Sequence, residues 1–167
     1  MEEIYITKEQ LIQKMIAYYS GDPKRIQHFL KVHSFARLIG LSENLDERTQ
    51  NILEIAAIVH DIGIKVSEEK YGSACGKYQE AEGPAVAADM LQELGCPDHI
   101  IERVCYLVGH HHTYSQIDGM DYQILVEADF LVNMYEDAMS AEAIHSVLHN
   151  IFRTQTGKWM CETMYRK

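Results

Sequence analysis

The residues best suited to chemistry in this chain are histidines and aspartates set into apolar sequence. Ile58-Val59-His60-Asp61-Ile62-Gly63 joins an imidazole and a carboxylate at the end of an apolar run. Asp129 lies between Leu125 and Val132, His33 shares a helical face with Ile26, Phe29, Leu30 and Arg37, and His110-His111-His112 closes another apolar periodicity. A buried carboxylate without a partner costs several kcal/mol, and a metal cation is the simplest partner. Two or three imidazoles with two carboxylates make a mixed nitrogen and oxygen donor set, suited to Fe, Mn, Co, Ni or Zn and less to Ca. Consecutive helix residues diverge by ~100°, so only one or two of the three adjacent histidines are expected to face such a centre.

Helices must bring these groups together. Ile52, Ile55, Ala56 and Val59 recur at i, i+3, i+4, i+7, so a helix starting near Asp46 carries His60 and Asp61 at its inner end, with Gly63 as its stop. Before it, Thr7-Lys8-Glu9-Gln10 reads as the capping box of a first helix. Asp22-Pro23 opens a second, which carries His33 and ends at Gly40. Residues 64 to 81 lack clean periodicity and read as a functional loop, a rim or lid leaving directly from His60-Asp61. Ala87, Met90, Leu91 and Leu94 give a fourth helix, and Asp98 opens a fifth that ends in the three histidines. A helix from Asp121 to about Ala138 points Asp129 inward, and Ser140 caps a last one holding Ile144, Val147, Leu148 and Ile151. The tail from Thr154 to Lys167 offers Trp159 as its one strong anchor. With no strand pattern, repeat or low-complexity segment, the chain reads as all-α, a single-domain helical bundle of about six to seven helices with a metal site in its core.

Bulk properties narrow the function. The 167 residues suffice for one well-packed domain, and 47% hydrophobic with 24% charged content is ordinary for a globular protein. A formal net charge of −10 disfavours nucleic-acid polymers and anionic membranes as partners, although a metal ion can reverse the local field for a small phosphorylated ligand. The four cysteines are scattered without a C-x-x-C pair, which fits reduced thiols, and Cys105 reads as core filler. No apolar run approaches a membrane span, and the acidic start Met1-Glu2-Glu3 is unlike a signal peptide, so a cytoplasmic location is expected.

His33, His60-Asp61 and Asp129 together resemble the H…HD…D signature of the HD-domain superfamily of metal-dependent phosphohydrolases. His33 lies 27 residues before His60, and Asp129 lies 68 after Asp61. The resemblance covers roughly residues 24 to 138, leaving a C-terminal helix and tail over 139 to 167 within the same single domain of 1 to 167. It implies an all-helical fold holding one or more divalent transition metals. His33, His60, Asp61 and Asp129 would be the ligands of the first, and water activated by the metal would attack phosphorus. Asp61 and Lys65 are then the expected catalytic residues, Lys65 binding a phosphate oxygen, although Ile64 separates this lysine from the glycine it directly follows in the commoner pattern.

Gly109-His110-His111-His112-Thr113, with Asp118-Gly119 and Asp121-Tyr122 beyond, is also similar to the HD-GYP branch, which cleaves cyclic dinucleotides. The proline of that pattern is absent and Asp121 replaces its second glycine. This likeness implies a second metal or a phosphate at His110 and His111, or at His111 and His112. Glu82 or Glu80 stands where multinuclear members carry a further histidine. The expected activity is hydrolysis of a small phosphate ester of nucleotide-like type. An HD-type di-iron oxygenase and a non-catalytic metal or nucleotide sensor are the alternatives, and the aromatic tail is compatible with a homodimer.

Overall fold

A computed structural model describes residues 6–166. The acidic start Met1-Glu2-Glu3 lies outside the described residues. Nine helices and no strand occur among them: α1 Lys8–Tyr18, α2 Pro23–Ser42, α3 Glu47–Val59, α4 Ile64–Tyr71, α5 Gly76–Glu93, α6 Asp98–Val108, α7 Met120–Glu136, α8 Ala141–Asn150 and α9 Gln155–Met164. None is long and apolar enough to cross a membrane, and all four cysteines are free.

The starts are set by side-chain caps. Thr7, Asp22, Asp46 and Ser140 each accept a hydrogen bond from the backbone N–H three residues on, which satisfies donors that a helix N-terminus otherwise leaves open. The central element is α3, which packs on α1, α2, α6 and α7, while α2 also packs on α7 and α5 joins α6. Every residue of α3 from Gln50 to Val59 is buried. Full burial of side chains such as Leu53, Ile55 and Ile58 is worth about 1.5–3 kcal/mol each, so this helix is held firmly and the motif at its C-terminal end inherits that rigidity.

Two of the nine helices depart from expectation. The segment read as a loop over 64 to 81 is α4 and the first turns of α5, joined by a short link beginning at Gly72, whose φ of 64° ends α4 in the left-handed conformation. The buried face there comprises Ile64, Ser67, Gln79 and Gly83, too polar and too small for a hydrophobic period to show. The tail folds as α9, capped by Thr154 and anchored by Met160 and Cys161, whereas Trp159 is 61% exposed.

Two glycines expected as helix stops are required for close approach instead. α2 runs through Gly40 to Ser42, and a Cβ on Gly40 would meet Leu53 Cδ2 at 3.0 Å. Gly63 has an ordinary φ of −76°, but a Cβ there would sit 2.7 Å from the backbone nitrogen of Gly83. The turn after Asp61 therefore rests directly on the backbone of α5.

Candidate metal centre

Three helices converge on one point. His28 comes from the second turn of α2, His60 and Asp61 from the end of α3, and Asp129 from the middle of α7; all four are buried. His28 Nε2 lies 3.1 Å from His60 Nε2, 3.2 Å from Asp61 Oδ2 and 3.3 Å from Asp129 Oδ1. His60 Nε2 lies 3.4 Å from each of the same two carboxylate oxygens. Ligands at the ~2.0–2.2 Å typical of imidazole and carboxylate donors stand about 3–3.5 Å from one another around a single ion, so the spacing fits one cation.

The outer contacts decide what these atoms offer. His60 Nδ1 donates to the carbonyl oxygen of Ala57 at 2.8 Å, and His28 Nδ1 donates to Glu136 Oε1 at 3.2 Å. A neutral ring whose Nδ1 carries the proton presents a lone pair at Nε2. Two such lone pairs and two carboxylate oxygens then face each other with no hydrogen between them, an arrangement that calls for positive charge at its centre. Protonation shows the same demand. Burial would lower the His28 imidazole, yet Asp129 and Asp61 push it up to about 9. His60 is likewise raised well above its ordinary range against the effect of its burial. Asp61 and Asp129, which burial would raise, are held below the usual carboxylate range by the imidazoles.

Further hydrogen bonds fix the ligands in place. Asn133 Nδ2 donates to Asp129 Oδ1 at 3.1 Å, and Lys31 Nζ holds Glu136 at 2.8 Å. The Tyr19 hydroxyl reaches the backbone carbonyls of Asp61 and Ile62 at 3.2 and 3.3 Å, pinning the motif from below. A cavity of 140 Å³ opens onto His28 and Asp61, with Lys24, Arg25, Asn133 and Glu136 among its walls.

Asp61 faces two ways. Its Oδ1 lies 2.9 Å from His111 Nε2, and His111 Nδ1 donates to the carbonyl oxygen of Val108 at 2.8 Å, so a neutral ring turns a lone pair towards Asp61. With His112 these two residues form a second cluster able to hold an ion. His112 Nε2 stands 3.9 Å from Asp61 Oδ1 and donates to Gln79 Oε1 at 3.0 Å, the Gln79 amide being oriented by its own donation to Ala74 O. Burial, and then His111, lower the His112 imidazole to about 4.

The structure thus gathers His60, Asp61, Asp129 and His111 as the sequence suggests, but other expected residues lie elsewhere. His33 is outside the cluster: its Nε2 lies 3.1 Å from Glu54 Oε1. Five residues separate it from His28, which turns it about 140° around α2. His110 stacks on Tyr106, with ring centroids 4.1 Å apart, and donates to the carbonyl of that residue. Glu82 is engaged by Lys70 and Tyr71 at 2.8 Å each. Glu80 accepts from the His112 N–H and the Thr113 hydroxyl at 3.0 Å, bracing the histidine turn. Lys65 points its ammonium at the carbonyl of Tyr18, 3.3 Å away, and over that residue's ring. Asp118 and Asp121 form a clamp with Arg103, and the Tyr122 hydroxyl bonds the carbonyls of His110 and Thr113. Tyr122 therefore braces the histidine turn, while the two aspartates of this stretch hold Arg103.

The sequence reading missed His28, but it follows once the turn between α2 and α3 is placed. α2 and α3 form a tight antiparallel hairpin turning at Asn44, which has a φ of 57°. His60 lies 16 residues after Asn44 and His28 lies 16 before it. His33 and Glu54 lie 11 before and 10 after, which is why they meet.

The sequence matches the HD domain family over residues 25–156. The fold is similar to the crystal structure of a predicted HD superfamily hydrolase from an uncultured Thermotogales bacterium, at a TM-score of 0.68 and 24% identity, covering 95% of this chain and 84% of that one. No curated protein matches. A match over most of the chain, a shared all-helical fold and the buried histidine and aspartate cluster lead to one conclusion: the chain belongs to the HD domain family.

Proposed function

We propose that the protein is a metal-dependent phosphohydrolase that cleaves a small phosphate ester of nucleotide-like type with water as the nucleophile. The observation that carries this is the convergence of two imidazole lone pairs and two carboxylate oxygens on one buried point at the floor of an open cavity. His28, His60, Asp61 and Asp129 would hold a divalent transition metal, which when bound would act as a Lewis acid, lowering the pKa of water towards ~7 and neutralising charge on phosphoryl oxygens. The chain's own residues set the stage. Ala57 and Glu136 fix the ring orientations, Asn133 holds Asp129, and Asp61 spans both clusters, so that His111 and Asp61 Oδ1 would carry a second ion. Among the described residues lining the cavity there is no serine or cysteine, which supports water as the nucleophile.

The test is phosphate release from a panel of phosphomonoesters by protein loaded with Mn, Fe, Co, Ni or Zn, beside Asp61→Ala. Metal-dependent release that disappears with the metal in Asp61→Ala is expected. Loaded protein that releases phosphate from no ester contradicts the assignment, and two irons per chain with oxygen consumption would replace it with an oxygenase.

A further inference from the structure

The cavity at the site is small, and among the described residues lining it Lys24 is the one cation without a carboxylate partner. Drug-sized ligands occupy clefts of about 300–1,000 Å³. At 140 Å³ the cavity above His28 and Asp61 takes the phosphate end of a ligand and leaves the organic remainder outside. The charges around it are mostly paired. Arg25 is held by Glu68 at 2.5 Å and Asp22 at 3.2 Å, and Glu136 by Lys31 and His28. Lys65, the cation the sequence offered for phosphate, is turned away against Tyr18. Lys24 lines the same cavity as His28 and Asp61, is exposed, and has no carboxylate within ion-pair distance among the described residues. In a chain of net charge −10, an unpaired ammonium beside a donor cluster that itself calls for a cation marks where anionic charge is received.

We propose that Lys24 is a specificity residue, binding from the rim of the cavity a second, non-reacting phosphate of the substrate. The site then selects molecules that carry another phosphate beside the one attacked. This inference rests on the phosphohydrolase reading above.

The experiment measures binding of inorganic phosphate and inorganic pyrophosphate by titration calorimetry. It uses the full chain loaded with Mn, as wild type, Lys24→Ala, Lys24→Glu and Lys24→Arg, matched for metal content before and after. Wild type is expected to bind pyrophosphate more tightly than phosphate. An exposed charge pair is a modest contribution, so Lys24→Ala loses roughly fivefold in pyrophosphate affinity. Lys24→Glu loses more, Lys24→Arg stays near wild type, and phosphate binding changes less throughout. Equal pyrophosphate affinity in wild type and Lys24→Glu overturns the role of Lys24 while leaving the hydrolase reading intact. Failure of metal-loaded wild type to bind either anion overturns both.

Discussion

Glu127 and Asp129 stand two residues apart on α7, both almost fully buried, and face opposite sides of the helix. Glu127 looks towards α9 and is met by donors. The Gln123 amide at 2.6 Å, the Thr154 hydroxyl at 2.6 Å, and the backbone N–H groups of Arg153 and Thr154 at 3.1 and 3.2 Å all point at its oxygens. Asp129 looks towards α2 and α3 and meets two imidazole nitrogens whose ring partners already donate elsewhere. The first carboxylate is satisfied by the protein alone and docks a helix. The second shares its space with other acceptors and calls for a cation. Burial of an acid does not identify a site; the donor or acceptor character of what surrounds it does.

The contrast can be broken from either side. Glu127→Ala strands the buried Thr154 N–H and hydroxyl and the part-buried Arg153 N–H, and is expected to cost about 3–5 kcal/mol in denaturant unfolding while leaving metal content unchanged. Loss of metal from a folded Glu127→Ala protein would show that the two faces of α7 are not independent. Glu136→Gln weakens the contact that orients His28, and outer-shell changes of this kind lower metal affinity by about 10–100-fold. Competition with a chelator reads this out, with little change expected in unfolding free energy. Unaltered affinity would mean that the His28 ring is held by packing rather than by Glu136.

Much of this arrangement was visible in the sequence. Capping residues marked the helix starts, the apolar stripe of α3 put His60 and Asp61 at its inner end, and Asp129 stood out because nothing apolar explained it. What escaped shares one physical character. The face that α4 and the start of α5 turn inward includes Ser67, Gln79 and Gly83, so no hydrophobic period betrayed it. α9 is anchored by hydrogen bonds to Glu127 as much as by side-chain burial, and its most apolar residue, Trp159, faces outward. His33 stood out because it shares a helical face with Ile26, Phe29, Leu30 and Arg37, yet Glu54 opposite it supplies an ordinary partner. Counting along the hairpin from Asn44, rather than judging each histidine by its own helix, separates the two.

That separation is also where the site is most directly tested. Metal content per chain, by elemental analysis of wild type, His28→Ala and His33→Ala after incubation with Mn, Fe, Co, Ni or Zn, asks which histidine belongs to the centre. Near-stoichiometric metal in wild type and His33→Ala, with loss in His28→Ala, is the predicted result. Metal retained by His28→Ala and lost from His33→Ala, or no metal bound by wild type at all, would contradict a centre built from His28, His60, Asp61 and Asp129.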